Sequence, residues 1–156
     1  MDLSTLDRQM GDWVWCVYNG LRAGYSLPQV LDILSQEAPE PARGASKSLL
    51  EALRATVPEA QALVNWHEAM RAAQSAPLRE ALEQWKQAYP SPQVTKVAEK
   101  ILEYQLTGGH LADLLEPLEA EFVQQSGSDS SFYDAMRHQV EQIGATLPGR
   151  VLKSVT

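Results

Sequence analysis

Three histidines are the residues of this sequence with the greatest capacity for metal binding or acid–base catalysis. His67 begins the stretch HEAMR, which resembles the start of a zinc-binding helix. That chemistry requires a second histidine one helical turn later, and Arg71 occupies this position. We therefore interpret His67 as an ordinary helix residue, His110 as part of the local structure at a helix start, and His138 as a residue on a solvated face.

The single cysteine and a pair of glycines offer two further kinds of chemistry. Cys16 is flanked by Trp15 and Val17, whereas a nucleophilic thiol requires a base beside it in a polar pocket. Gly108 and Gly109 precede a predicted helix, where backbone N–H groups can bind a phosphate, but no Gly-Lys-Ser/Thr ending follows them. These patterns favour a buried thiol and a structural turn, so the sequence predicts no catalytic residue, no cofactor and no metal ion.

Two features of the sequence suggest contact with other proteins. Glu116, Glu119 and Glu121 form an acidic cluster, which is most often a solvated helix face. Alternatively, it pairs with a basic patch on a partner or binds a divalent cation weakly. Trp15 lies off the main apolar stripe of its helix and is the best candidate for an exposed contact, such as a dimer interface.

Composition and charge exclude several classes of function. Of the 156 residues, 44% are hydrophobic and 21% are charged, as is usual for one globular domain. The formal net charge is −7, so the chain lacks the basic surface with which proteins bind nucleic acids or anionic membranes.

One cysteine cannot form an intrachain disulfide, which fits a reducing compartment. We find neither a secretory signal nor an apolar segment of the roughly 20 residues that a membrane span requires, and expect a soluble chain.

Apolar residues recur at helical spacing along nearly the whole chain. No alternating pattern of useful length indicates a β-strand. We predict an all-α protein, a compact antiparallel bundle of about six to eight helices. Capping-box spacings mark two predicted helix starts, Ser26 with Gln29 and Thr56 with Glu59. Pro117 falls inside a predicted helix and should cause a kink or a late helix start.

Two glycines divide this pattern into similar halves. Gly24 and Gly108 each follow one amphipathic segment and precede another, and aligning them places Leu27 over Leu111. Glycine tolerates the left-handed backbone conformation that commonly ends a helix. We interpret the halves as two pseudo-repeated helical hairpins with glycine corners, packed around a pseudo-twofold axis. The alternative is that any two helical hairpins share this spacing.

The residues around both corners resemble a known signature. The stretch LRAGYSLPQVLDIL, residues 21–34, is similar to the type II secretion system F-domain family and in particular to its tight-adherence (Tad) pilus branch. In that family a helix ends in Leu-x-Ala-Gly-x-Ser-Leu, and the next helix begins at the second Leu. A later Gly-Gly-x-Leu-x-x-x-Leu corner opens the closing helix. The positions that match are Leu21, Ala23, Gly24, Ser26 and Leu27 at the first corner, and Gly108, Gly109, Leu111 and Leu115 at the second.

The resemblance extends from about Leu6 to Phe122, with some departures. An Ala-Leu pair in the middle of the family is resembled by Ala81 and Leu82, but the glycine that often precedes this pair is replaced here by Ser-Ala-Pro. Residues 42–58 look like an insertion, so longer or more numerous central helices are expected. The membrane segments that follow this domain in the family are absent, which implies either an excised cytoplasmic domain or a soluble relative.

What the resemblance implies is a function without catalysis. Proteins of this family are inner-membrane platforms at the base of a pilus or secretion machine, and their cytoplasmic helical domains are thought to connect the assembly ATPase to the membrane part. The resemblance implies such a helical domain over residues 1–125, at the cytoplasmic face of the inner membrane. Residues 126–156 would form a polar linker and a C-terminal helix that lead toward a membrane segment. The implied partners are the ATPase, a related platform subunit, a pilin or pseudopilin reached through the membrane part, and a second copy of the chain.

Two other functions fit an all-α chain. A free-standing soluble adaptor or regulatory protein would have the same fold without a membrane role. An all-α enzyme or small-molecule binder would require a polar pocket with converging titratable groups, and the sequence offers no such constellation. If the chain is part of such a platform, we expect the glycines to allow tight corners and close helix contacts. We also expect the acidic surface to contribute to ATPase binding.

Overall fold

The computed structural model describes residues 2–57 and 66–143, and in the last helix it describes individual side chains only as far as Met136 and at Gln139. This part of the chain contains eight helices and no strand, which confirms the all-α prediction. The helices are α1 (Leu3–Arg22), α2 (Leu27–Glu37), α3 (Ala42–Thr56), α4 (Trp66–Ala72), α5 (Ser75–Ala88), α6 (Pro92–Thr107), α7 (Leu111–Ser126) and α8 (Ser130–Ile143). The capping box predicted at Thr56 and Glu59 extends outside the described residues.

The central helix of the bundle is α1. It runs antiparallel to α7, with which it has its most extensive contact, and it also packs against α2, α3, α6 and α8. In turn, α2 packs on α3, α3 on α5, α5 on α6 and α6 on α7, so these helices close a circuit around one core. Trp13 and Trp85 are almost completely buried in that core. Burial of such large aromatic side chains contributes much of the free energy that stabilises a helical bundle.

Two helix starts carry side-chain caps, and the one at Ser26 is the capping box that the sequence predicts. At α2, the Ser26 hydroxyl accepts from the Gln29 N–H at 3.3 Å, and the Gln29 side-chain oxygen accepts from the Ser26 N–H at 2.8 Å. At α6, Ser91 caps the first turn and Pro92 occupies the first helical position. These caps satisfy N–H groups that have no partner within the helix. They fix the points at which the chain re-enters the bundle.

Buried side chains of α1 hold α3 in place. Gln9 accepts from the Ala42 N–H at 3.0 Å and donates to the Glu40 carbonyl at 3.2 Å. The Trp13 indole N–H donates to the Ser46 hydroxyl at 2.8 Å. Because satisfied buried polar groups favour one arrangement of a core over others, these bonds fix α3 against α1. The predicted insertion, residues 42–58, therefore contains a core helix, Ala42–Thr56.

Both predicted glycine corners are present. Gly24 follows α1 with a φ of 100°, and Gly108 follows α6 with a φ of 70°. Residues with a side chain rarely adopt these values, so glycine is strongly favoured at both corners. The two hairpins differ in their surroundings, since α1 packs on α7 whereas α2 packs mainly on α3. The halves are therefore repeated in local structure, but α6 does not pack on α2 as α1 packs on α7, so the predicted pseudo-twofold packing is wrong.

The helix α7 continues through Pro117. It begins at Leu111 and ends at Ser126, so the predicted late helix start is wrong. Proline has no N–H to donate to the carbonyl of Asp113, one turn earlier. Both residues are exposed, so this carbonyl lies near the surface, where water can satisfy it.

The first turns of α8 pack on α1 and α2. Phe132 is fully buried and Met136 is 3% exposed. The Tyr133 ring meets the Trp15 ring of α1 edge-on, with ring centroids 6.4 Å apart. Residues on the C-terminal side of the predicted boundary at 125 therefore share the core of the bundle, at least as far as Met136.

Candidate functional site

The second glycine corner joins α6 to α7 and receives α4 from one side. Arg71 of α4 lies over Gly108, where an added Cβ would stand 2.2 Å from a guanidinium nitrogen. The positive φ favours glycine at this position, whereas the Arg71 guanidinium is the end of a flexible side chain and can move aside for a Cβ. At Gly109 a Cβ would meet only the Thr107 hydroxyl oxygen, at 4.0 Å. Of the two adjacent glycines at this corner, Gly108 is therefore the one whose backbone conformation favours glycine.

A contact between His67 and Tyr104 joins α4 to α6. The His67 Nδ1 and the Tyr104 hydroxyl are 2.8 Å apart. Tyr104 is 4% exposed, and burial raises the pKa of its hydroxyl, although the nearby Arg71 cation acts in the opposite direction. The neutral phenol can donate to Nδ1 when that nitrogen carries no proton. His67 is thus an anchor for α4, a tertiary role that its place in the sequence did not indicate.

Gln105 is a second anchor that sequence reasoning missed. Its amide nitrogen donates to the Ala73 carbonyl at 2.9 Å, and its side-chain oxygen accepts from the Ser75 hydroxyl at 3.0 Å. Gln105 is 7% exposed. The only signal in the sequence is its position beside Tyr104 on the inner side of α6, because a polar residue there must find a partner.

A small open cavity of about 320 Å³ lies beside these contacts. Its walls combine apolar side chains with two histidines and a tyrosine. The main lining residues are Leu21, Trp66, Leu111, His67, Tyr104 and His110. None of the described residues that line it is a carboxylate or a thiol, so its titratable groups are the two imidazoles and the phenol. In the described part of the chain, no group of three potential metal ligands comes together.

The predicted acidic cluster divides between two faces of α7. Since successive residues of a helix are about 100° apart, Glu116 and Glu119 share one face while Glu121 points away from them. Glu121 forms an ion pair with Lys96 of α6. Glu116 is exposed and Glu119 is partly exposed. Glu116 therefore remains the most accessible of the three for contact with a partner.

The prediction that Trp15 is exposed is wrong. Its side chain is 3% exposed and packs against Tyr133 of α8. Because α1 is surrounded by other helices, a residue off its main apolar stripe is also buried. Cys16 is 6% exposed, which confirms the prediction of a buried thiol. The prediction for His138 concerns a side chain outside the described residues.

Comparison with known proteins identifies no relative. No family model, curated protein or solved structure matches the chain. Among the helices that the structure describes, none combines the length and the hydropathy needed to cross a membrane. The glycine corners and the exposed surfaces are therefore the features from which a function is proposed.

Proposed function

We propose that the chain is the non-enzymatic cytoplasmic domain of an inner-membrane platform for type II secretion or Tad-type pilus assembly. The observation that carries this proposal is the pair of glycine corners. Gly24 and Gly108 both have a positive φ, and Leu27 and Leu111 are the first residues of the helices that follow. The backbone conformation at both positions thus gives a physical reason for the glycines of the resembled signature.

In this role the domain transmits movement. Because α1 contacts five other helices, a displacement of one surface helix is passed to the rest of the bundle. Closely packed protein interiors have low compressibility, which favours such transmission. An ATPase that binds α7 would displace α1, and α8, which packs on α1, would carry the movement toward the membrane part.

The outer face of α7 is the surface that we assign to the ATPase. Glu116 and Asp113 are exposed there, and Glu119 is partly exposed. The formal net charge of −7 extends the negative field beyond this face. Complementary charge on a partner would raise the association rate and orient the encounter.

Affinity for the assembly ATPase of the source cells tests the proposal. The wild-type chain is immobilised beside Glu116→Lys and Glu80→Lys, and ATPase binding is measured by interferometry. Glu80 is exposed on α5, so its reversal is a control with the same change in net charge. We expect Glu116→Lys to weaken binding about two- to fivefold, the range of an exposed ion pair, and Glu80→Lys to have no effect. Absence of wild-type binding, or equal weakening by both variants, would contradict the proposal.

A further inference from the structure

The outer face of α6 carries the most exposed large apolar side chain among the described residues. Leu106 is 59% exposed, and Leu102, one turn earlier, is partly buried against the core. Together with four polar neighbours, all on α6, they line an open depression of about 410 Å³ on the surface of this one helix, which we call the groove. The other sides of α6 pack on α1, α4, α5 and α7, so no described helix covers this groove.

The charges in the groove do not cancel. Its ionisable residues are Glu99, Lys100 and Glu103. The Lys100 ammonium lies 3.4 Å from a Glu103 carboxylate oxygen, so these two charges are paired. Glu99 is exposed and forms no ion pair with any described residue. An apolar strip one helical turn long thus lies beside an uncompensated carboxylate, on a chain whose formal net charge is −7.

We infer that this groove binds a basic amphipathic helix of a partner protein. Two apolar side chains one turn apart on that helix would cover Leu102 and Leu106, which have the same spacing. A lysine or arginine beside them would pair with Glu99. A second copy of this chain is disfavoured because it carries the same residual charge on the same face. The groove is formed by α6 and excludes Glu116, so this inference does not depend on the platform role.

A synthetic peptide provides the probe. It is an amphipathic helix of about 18 residues, long enough to fold in the groove, with leucines along one face and lysines on both flanks. The control peptide has glutamate in place of every lysine. Fluorescence anisotropy measures the affinity of each peptide for the wild-type chain and for Leu106→Ser, Glu99→Lys and Glu80→Lys. Thermal unfolding is measured for each variant. Leu106→Ser should have the same Tm as the wild type because the Leu106 side chain is mostly exposed.

Binding of the lysine peptide should depend on both kinds of contact in the groove. We expect Leu106→Ser to weaken it about tenfold, as the loss of one buried leucine contact predicts. Glu99→Lys should weaken it several-fold, and Glu80→Lys, with the same change in net charge, should leave it nearly unchanged. The glutamate peptide should not bind.

Three results would overturn the inference. Equal weakening by Glu80→Lys and Glu99→Lys would mean that only net charge attracts the peptide. Unchanged binding by Leu106→Ser would place the peptide elsewhere. Self-association of the wild type in sedimentation equilibrium, abolished by Leu106→Ser, would assign the groove to a second copy of the chain.

Discussion

Replacing Gly20 of α1 by alanine should destabilise the bundle, although alanine is the better helix former. A Cβ built on Gly20 would stand 2.4 Å from a Val30 methyl carbon of α2, and Val30 is 3% exposed. Replacing a glycine inside a helix by alanine stabilises it by about 0.5–1 kcal/mol. Overpacking a closely packed contact costs about 1–3 kcal/mol. The steric cost should exceed the gain in propensity, so we expect Gly20→Ala to reduce the free energy of unfolding by about 1 kcal/mol.

Thermal unfolding followed by circular dichroism measures this effect. For a chain of this size, 1 kcal/mol corresponds to a decrease in Tm of about 2–4 °C. Val30→Ala removes the methyl groups that a new Cβ would meet, so in that background Gly20→Ala should raise Tm. This change of sign is specific to the contact, because a general propensity effect would act equally in both backgrounds. An increase in Tm for Gly20→Ala in the wild-type background would refute the close approach of α1 and α2.

Three further variants test other parts of the fold. Gly24→Ala should lower Tm by about 2–8 °C, because alanine at a φ of 100° costs about 1–2 kcal/mol; an unchanged Tm would contradict the corner. Phe132→Ala should lower the free energy of unfolding in urea by about 3–5 kcal/mol, since the ring is fully buried. A loss below about 1 kcal/mol would place α8 outside the core. The pKa of Tyr104 is raised above the ordinary value of 10.0, so its contribution to stability is complete below that pH and is lost as the pH rises through the folded value. Tyr104→Phe should therefore lose less stability above pH 10 than the wild type, and identical alkaline profiles of Tm would contradict this.

Local signals in the sequence predicted the helices and their corners. The Ser26–Gln29 capping box forms as its spacing indicates, because both bonds depend only on residues three positions apart. Gly24 and Gly108 likewise report the backbone conformation of their own positions. For such features the nearest neighbours in the sequence supply nearly all the physical determinants.

Contacts between distant segments could not be read in the same way. The single apolar stripe of α1 predicts an exposed Trp15, but that helix is covered on several sides and the side chain is buried. Arg71 over Gly108 and the bonds of Gln105 join helices whose relative placement no local pattern specifies. The site at the second corner therefore depends on the positions of α4, α6 and α7 relative to one another.

The platform role is tested most directly by locating the protein in its source cells. An antibody raised against this chain is used on separated soluble and inner-membrane fractions. The proposed function predicts a band well above the 17.3 kDa of this chain in the inner-membrane fraction. A band at 17.3 kDa in the soluble fraction would contradict the platform role and favour a free-standing helical adaptor.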